Sequence, residues 1–189
     1  FSFILPFGFL LSGFALLVSY LGQMNPQITP LMPVLVSPWL SIHVSLIMMS
    51  YALLAFIMLN GILALCLRKK ESENNVSGND AVQDNRIEQL TLVSRLLLYP
   101  ATFFLGAGIF LGAVWANVSW GRYWAWDPKE VWALITFLVY GVAFHSQSLR
   151  IFRKPLFFHI YMILAFLTVL MTYFGVNYVL GGMHSYANS

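Results

Sequence analysis

No Asp, Glu, Lys or Arg occurs between Phe1 and Leu67. A helix on a soluble domain turns one face to water and fills it with charge, so a charge-free stretch of this length folds as segments surrounded by lipid. The rest of the chain keeps the bias: 59% of residues are hydrophobic and 9% charged, against about a quarter charged in soluble domains. The opening segment 1–21 has no basic leader region, no small-residue cleavage site and no initiating Met. It therefore reads as a true span and not as a signal peptide, and the chain is expected to lack upstream helices of a longer polypeptide.

A helix crosses the hydrocarbon core with about 20 apolar residues. Five segments meet this expectation: 1–21, 39–67, 96–114, 131–147 and 155–176. The fold class is thus all-α, a polytopic transmembrane helix bundle of about five spans forming one membrane domain over residues 1–189. Between the spans lie a proline-rich uncharged link at 22–38, a polar loop at 68–95, an aromatic loop at 115–130 and a short basic loop at 148–154. Arg68, Lys69, Lys70, Arg86 and Arg95 fall in the polar loop, and Arg150, Arg153 and Lys154 in the basic one, which is eight of the ten Lys and Arg. Five spans put both loops on one side, and cytoplasmic (or stromal) loops are the basic ones. The aromatic loop and the C-terminus are then expected on the periplasmic or lumenal side. The net charge of +3 is explained by topology and gives no reason to expect nucleic acid. Cys66 is the sole cysteine. It reads as a small apolar residue, with neither a redox nor a zinc motif around it.

The chemistry concentrates in WANVSWGRYWAWDPKEVW, which places Trp115, Trp120, Trp124, Trp126 and Trp132 within one short stretch. An interfacial aromatic belt explains a few aromatics at span ends. This density, with Gly121, Asp127 and Pro128 interleaved, is better explained by an aromatic platform for a large planar ligand. His43 lies at the outer end of the second span and His184 in the outward tail, so both flank this loop. Imidazole suits iron, and two opposed imidazoles can supply both axial positions of a haem. His145 lies about 21 Å along the fourth span at helical rise, and an ionisable residue inside a span is a functional candidate. His159, beside Phe157, Phe158 and Tyr161, reads as a structural residue near the interface. Asp127 is open to three readings: it orients the loop, reaches a ligand carboxylate through a neighbour, or caps the helix that Pro128 starts.

Three stretches resemble a known family. WGRYWAWDPKEVWALITFLVYGVAFHSQ resembles the WWD segment of CcsA, also called ResC, and of fused CcsBA synthases. SPWLSIHVSLIMMSYALLAF is similar to that family's first outer-histidine helix, and GVNYVLGGMHSYANS to its C-terminal end with the second outer histidine. The resemblance implies that His43 and His184 ligate haem iron at an external site. It implies that Trp120, Trp124, Trp126 and Asp127 cradle that haem, and that His145 holds haem within the bilayer before export. It also implies haem b as substrate, an apocytochrome c partner, and a CcsB/ResB-type partner, separate or fused, that supplies the second ligand beside His145.

The activity so implied is covalent attachment of haem to apocytochrome c, joining haem vinyl groups to the thiols of a C-x-x-C-H segment as part of a system II cytochrome c synthase (haem lyase). The residues would act by positioning, since near-attack geometry alone lowers a barrier by several kcal/mol. A non-catalytic WWD haem exporter or chaperone of the CcmC type is the alternative. A transporter without a cofactor would need neither the outer histidines nor the aromatic loop.

Overall fold

The computed structural model describes residues 38–73, 80–146 and 148–180, together with 9, 12 and 13. The described residues form four helices: α1 (Pro38–Glu73), α2 (Asp80–Trp120), α3 (Pro128–Val142) and α4 (Pro155–Leu170). Short 3-10 turns occupy Ala143–Ser146 and Arg150–Arg153, and α4 continues without a break into a π-helical stretch, Met171–Leu180. No strand occurs among the described residues. The all-α bundle expected from the hydropathy pattern is the observed fold.

Among the described residues three helical stretches are long and apolar enough to cross a membrane: Pro38–Arg68, Asp84–Trp120 and Pro155–Leu180. The chain is a membrane protein. Its outward faces carry large apolar side chains, with Phe103, Phe110, Leu164 and Leu167 all exposed, the pattern of a surface solvated by lipid. The first expected span, 1–21, lies almost wholly outside the described residues, and the fourth, 131–147, corresponds to α3 with the 3-10 turn after it.

Two boundaries differ from expectation for one physical reason. α1 continues past Leu67 to Glu73, and α2 already begins at Asp80, so most of the segment read as a polar loop at 68–95 is helix. At the other end α2 runs on to Trp120, which shortens the aromatic loop to residues 121–127. Hydropathy registers only the stretch that suits hydrocarbon, whereas a helix continues into the polar zone at no cost to its backbone hydrogen bonds.

α1 packs along α2 and also against α4, while α3 closes the bundle against α2 and α4. Leu54 and Ile57 of α1, Leu98 and Ala101 of α2, Tyr140 of α3 and Phe158, Met162, Ala165 and Val169 of α4 form the buried core. Pro100 lies inside α2 and removes one backbone donor from the helix. Hydroxyls bond the carbonyls nearby: Thr102 donates to Leu98 O at 2.8 Å and Ser50 of α1 to Ala101 O at 2.8 Å, as Ser and Thr do around membrane prolines. Tyr161 of α4 donates to Val139 O of α3 at 2.7 Å, and Thr136 of α3 meets Thr172 at 3.1 Å.

His159 is packed inside the bundle. It is 1% exposed, with Nε2 2.9 Å from Thr91 Oγ1 across the α2–α4 seam. The Thr91 hydroxyl already donates to Ile87 O, so Thr91 accepts from His159 Nε2–H and the buried, unbonded Nδ1 carries the lone pair. The expected structural role stands, in the packed interior. Near it Arg95 donates from Nη2 to Phe152 O at 2.7 Å and lies 5.0 Å from the Phe158 ring centroid, anchoring the basic turn 150–153 to α2.

Candidate functional site

Close approach of α1 and α2 sets the first wall of the site. Gly108 and Gly112 are four residues apart on α2, on one helical face, and small residues at this spacing let membrane helices touch. A Cβ on Gly108 would sit 2.6 Å from Ile47 Cδ1, and one on Gly112 would sit 2.6 Å from His43 Cε1 and 2.8 Å from its Nδ1. The imidazole of His43 thus lies close against bare backbone, with Nδ1 2.7 Å from Gly108 O. A carbonyl only accepts, so Nδ1 donates and Nε2 bears the lone pair. This is the arrangement of a metal-ligating histidine whose other nitrogen is fixed by a backbone carbonyl.

The second wall is the loop 121–127. Gly121 ends α2 with φ of 73° and its N–H bonds Asn117 O at 2.9 Å, a left-handed C-terminal cap that glycine adopts without strain. Trp126 also has a left-handed φ, 58°, which is rare for a bulky residue. A capping box holds it there. The Asp127 carboxylate accepts from Lys129 N at 3.2 Å, and Glu130 Oε2 accepts from Asp127 N at 3.2 Å and Ala125 N at 2.8 Å. Of the three readings of Asp127, the geometry supplies the cap. Asp127→Ala is expected to cost about 1 kcal/mol, the usual value of such a cap, and to loosen the loop, whereas Asp127→Asn keeps an N-capping side chain. The midpoint of thermal unfolding in detergent should fall for Ala and hold for Asn; failure of Asn alone would mean the charge itself matters.

Between these walls lies a cavity of about 260 Å³ lined by apolar side chains of α1 and α2, His43, Trp115, Tyr123, Trp124, Lys129, Glu130, Thr172 and Tyr173. Its volume is below the roughly 300–1,000 Å³ of pockets that enclose a whole ligand. It suits one edge of a large flat molecule. Only some of the expected residues meet here. Trp124 lines the cavity beside His43. Trp120 packs edge-on against buried Trp115, with ring centroids 4.9 Å apart at 72°. Trp126 is 73% exposed and stands at 87° to Trp124. Trp124 and Trp126 thus meet edge to face and not as one flat surface, with ring centroids 6.1 Å apart.

His145 is elsewhere. It lies past the end of α3 in the 3-10 turn Ala143–Ser146, exposed, with Nδ1 3.2 Å from Gly141 O. Along the helix that is about 27 Å from Asp127 at 1.5 Å per residue. His184 lies outside the described residues. No group of three or more His, Cys, Asp or Glu that could hold a metal ion occurs among the described residues, so the site offers one imidazole from this part of the chain. Sequence reasoning passed over Gly108, Gly112, Lys129, Thr172 and Tyr173. The glycine spacing in GIFLG was the available signal for the first two, and nothing in the composition of 171–180 announced a π-helical turn, a feature often found at functional sites.

The family model for the cytochrome C assembly protein matches residues 1–184. The chain belongs to that family. It is 40% identical over 185 residues to protein NrfI of Wolinella succinogenes, covering 98% of this chain and 20% of that protein. It is 39% identical over 187 residues to the cytochrome c biogenesis protein CcsA of Chlamydomonas reinhardtii, covering 98% of this chain and 50% of its relative. The CcsA of Guillardia theta is 35% identical over 182 residues, 88% of this chain and 60% of the relative. The chain thus spans between a fifth and three fifths of these relatives. These matches extend over nearly the whole chain and make it a CcsA-type cytochrome c biogenesis protein.

Proposed function

We propose that this chain forms the haem-handling part of a cytochrome c synthase, holding one edge of haem in the cavity beside Trp124 with His43 as an axial ligand. The observation that carries this reading is the setting of His43: a ring pinned at Nδ1, pressed on Gly112, and lining an apolar cavity roofed by aromatic side chains. His184, from the C-terminal tail, is proposed as the opposite ligand. Trp120 and Trp126 flank the cradle from behind and from outside, and Asp127 holds the loop in place. The substrate is haem b. A thiol of the apocytochrome adds across a vinyl group: sulfur bonds to one vinyl carbon, hydrogen ends on the other, and no external oxidant is needed. The chain contributes orientation, keeping the vinyl edge where a C-x-x-C-H segment can reach it.

His145 is proposed to serve a separate haem position within the bilayer, completed by a CcsB/ResB-type partner. Its distance along α3 from the capped loop supports two positions in place of one. The topology proposed here has α3 and its 3-10 turn as a span. Their combined rise is about 30 Å, from 1.5 Å per α-helical and 2.0 Å per 3-10 residue, which matches the hydrocarbon thickness. The loop 121–127 then faces the periplasm or lumen. In a Cys66→Ser background, Arg122→Cys is expected to react with a membrane-impermeant thiol reagent in intact cells, and Arg86→Cys is not. Both residues are exposed, so the opposite pattern would overturn the orientation.

Synthesis and carriage are separable in one assay. The purified native complex, given ferrous haem and a C-x-x-C-H peptide, is expected to yield a thioether adduct by mass spectrometry. Haem binding with no adduct would make the protein a carrier of the CcmC kind.

A further inference from the structure

Trp126 combines two features that rarely meet in one residue. Its side chain is 73% exposed, the most of any tryptophan among the described residues. Its backbone holds a left-handed φ of 58°, a conformation uncommon for a bulky residue. The backbone on both sides is fastened to α3: the N–H groups of Ala125 and Asp127 donate to the Glu130 carboxylate at 2.8 and 3.2 Å. Such conformations persist where the surroundings fix them, and they cluster at active sites and ligand clamps. The same loop carries Tyr123, which is 60% exposed and also lines the cavity. The loop therefore presents aromatic surface both to the cavity and to the outside.

We propose that Trp126 docks the apocytochrome segment that receives haem, and is not itself part of the haem wall. This rests on the reading of the chain as part of a synthase and deepens it. Trp124 lines the cavity and Trp126 does not. The two indoles meet edge to face at 87°, with centroids 6.1 Å apart, so a planar molecule lying flat on Trp124 cannot also lie flat on Trp126. Trp126 thus adjoins the ligand position without belonging to it. In the orientation proposed above, the loop lies on the side from which the apocytochrome approaches. An exposed indole offers that segment an apolar face and one N–H donor for a peptide carbonyl, and tryptophan is prominent among residues that anchor protein interfaces. Trp126 binds the substrate chain in this scheme and takes no part in bond making.

Two rival roles are a wall of the haem site and an anchor at the headgroup level, where membrane tryptophans gather. Asn and Gly both accept a left-handed φ, so Trp126→Asn and Trp126→Gly remove the ring and keep the turn. The native complex, loaded with ferrous haem, is given a C-x-x-C-H peptide over a range of concentrations, and the thioether adduct is followed by mass spectrometry. Both variants should need about ten- to thirtyfold more peptide for the half-maximal rate, the usual loss for an interface tryptophan. Haem content and the ferrous absorption spectrum should match the wild type, and the rate at saturating peptide should stay within about twofold, as for a group that only binds substrate. Trp124→Ala, which opens the cavity wall, should instead lower haem content. A haem wall predicts an altered spectrum or lower haem content for the Trp126 variants, and a membrane anchor predicts an unchanged peptide requirement. Either result overturns the proposal, and an adduct formed with unchanged peptide requirement leaves the synthase reading intact. If the wild type forms no adduct, the synthase reading fails and this inference fails with it.

Discussion

His43→Ala is expected to reduce maturation of a co-expressed apocytochrome c by about a hundredfold or more, and imidazole in the medium is expected to restore part of it. Loss of the outer partners of metal ligands already costs about 10–100-fold, and here the ligand itself goes. Partial rescue follows from shape. Truncation at Cβ empties a ring-sized space bounded by the bare backbone of Gly112, which free imidazole fits. The substitution should leave thermal unfolding nearly unchanged, since His43 lies near the start of α1, outside the buried core. Trp124→Ala should lose activity without rescue, because what is removed is a wall of the cavity and no nitrogen. Wild-type maturation by His43→Ala would remove the residue from the mechanism.

Gly112→Val tests the same nitrogen without touching it. A Cβ at Gly112 would stand 2.6 Å from the His43 ring, well inside contact distance. The ring must swing aside, which breaks its bond to Gly108 O. Overpacking of this kind costs about 1–3 kcal/mol, so the helices should still associate. Maturation should fall about 10–100-fold, the range for losing the group that orients a ligand. Imidazole should not help, because the valine occupies the space it would need. Gly108→Ala, whose tight contacts fall on the Ile47 side chain and not on the His43 ring, should be milder. A Gly112→Val protein that matures cytochrome c normally would show that the approach of α2 to His43 is incidental.

The sequence made the helical membrane bundle legible because apolar length is a direct statement about solvent. The cap at Asp127 was one of three readings left open, with Pro128 as its local signal, and Glu130 completes it only in the structure. Helix ends were less legible. Residues 68–73 and 80–95 are polar, and polarity marks a change of solvent and not the end of a helix. The site was legible in its parts and not in its assembly. His43 and Trp124 were both named from their types and positions, yet a flat set of three tryptophans was expected where Trp126 turns outward. Trp126 sits at a φ of 58° between two N–H groups that donate to the Glu130 carboxylate, which composition does not reveal. Lys129 was passed over because it looks like a surface lysine until Asn177, 48 residues later, is brought beside it. His159 was read as structural from its aromatic neighbours, and only the pairing with Thr91 of α2 shows what it holds together.

The central claim is that His43 supplies a haem ligand, and electron paramagnetic resonance of the ferric protein, purified full-length with its partner, reads that ligand directly. The wild type is expected to show a low-spin signal of iron held by two imidazoles. In His43→Ala the outer haem should turn high-spin, and added imidazole should return it to low-spin. Identical low-spin spectra at equal haem content in wild type and His43→Ala would contradict the claim.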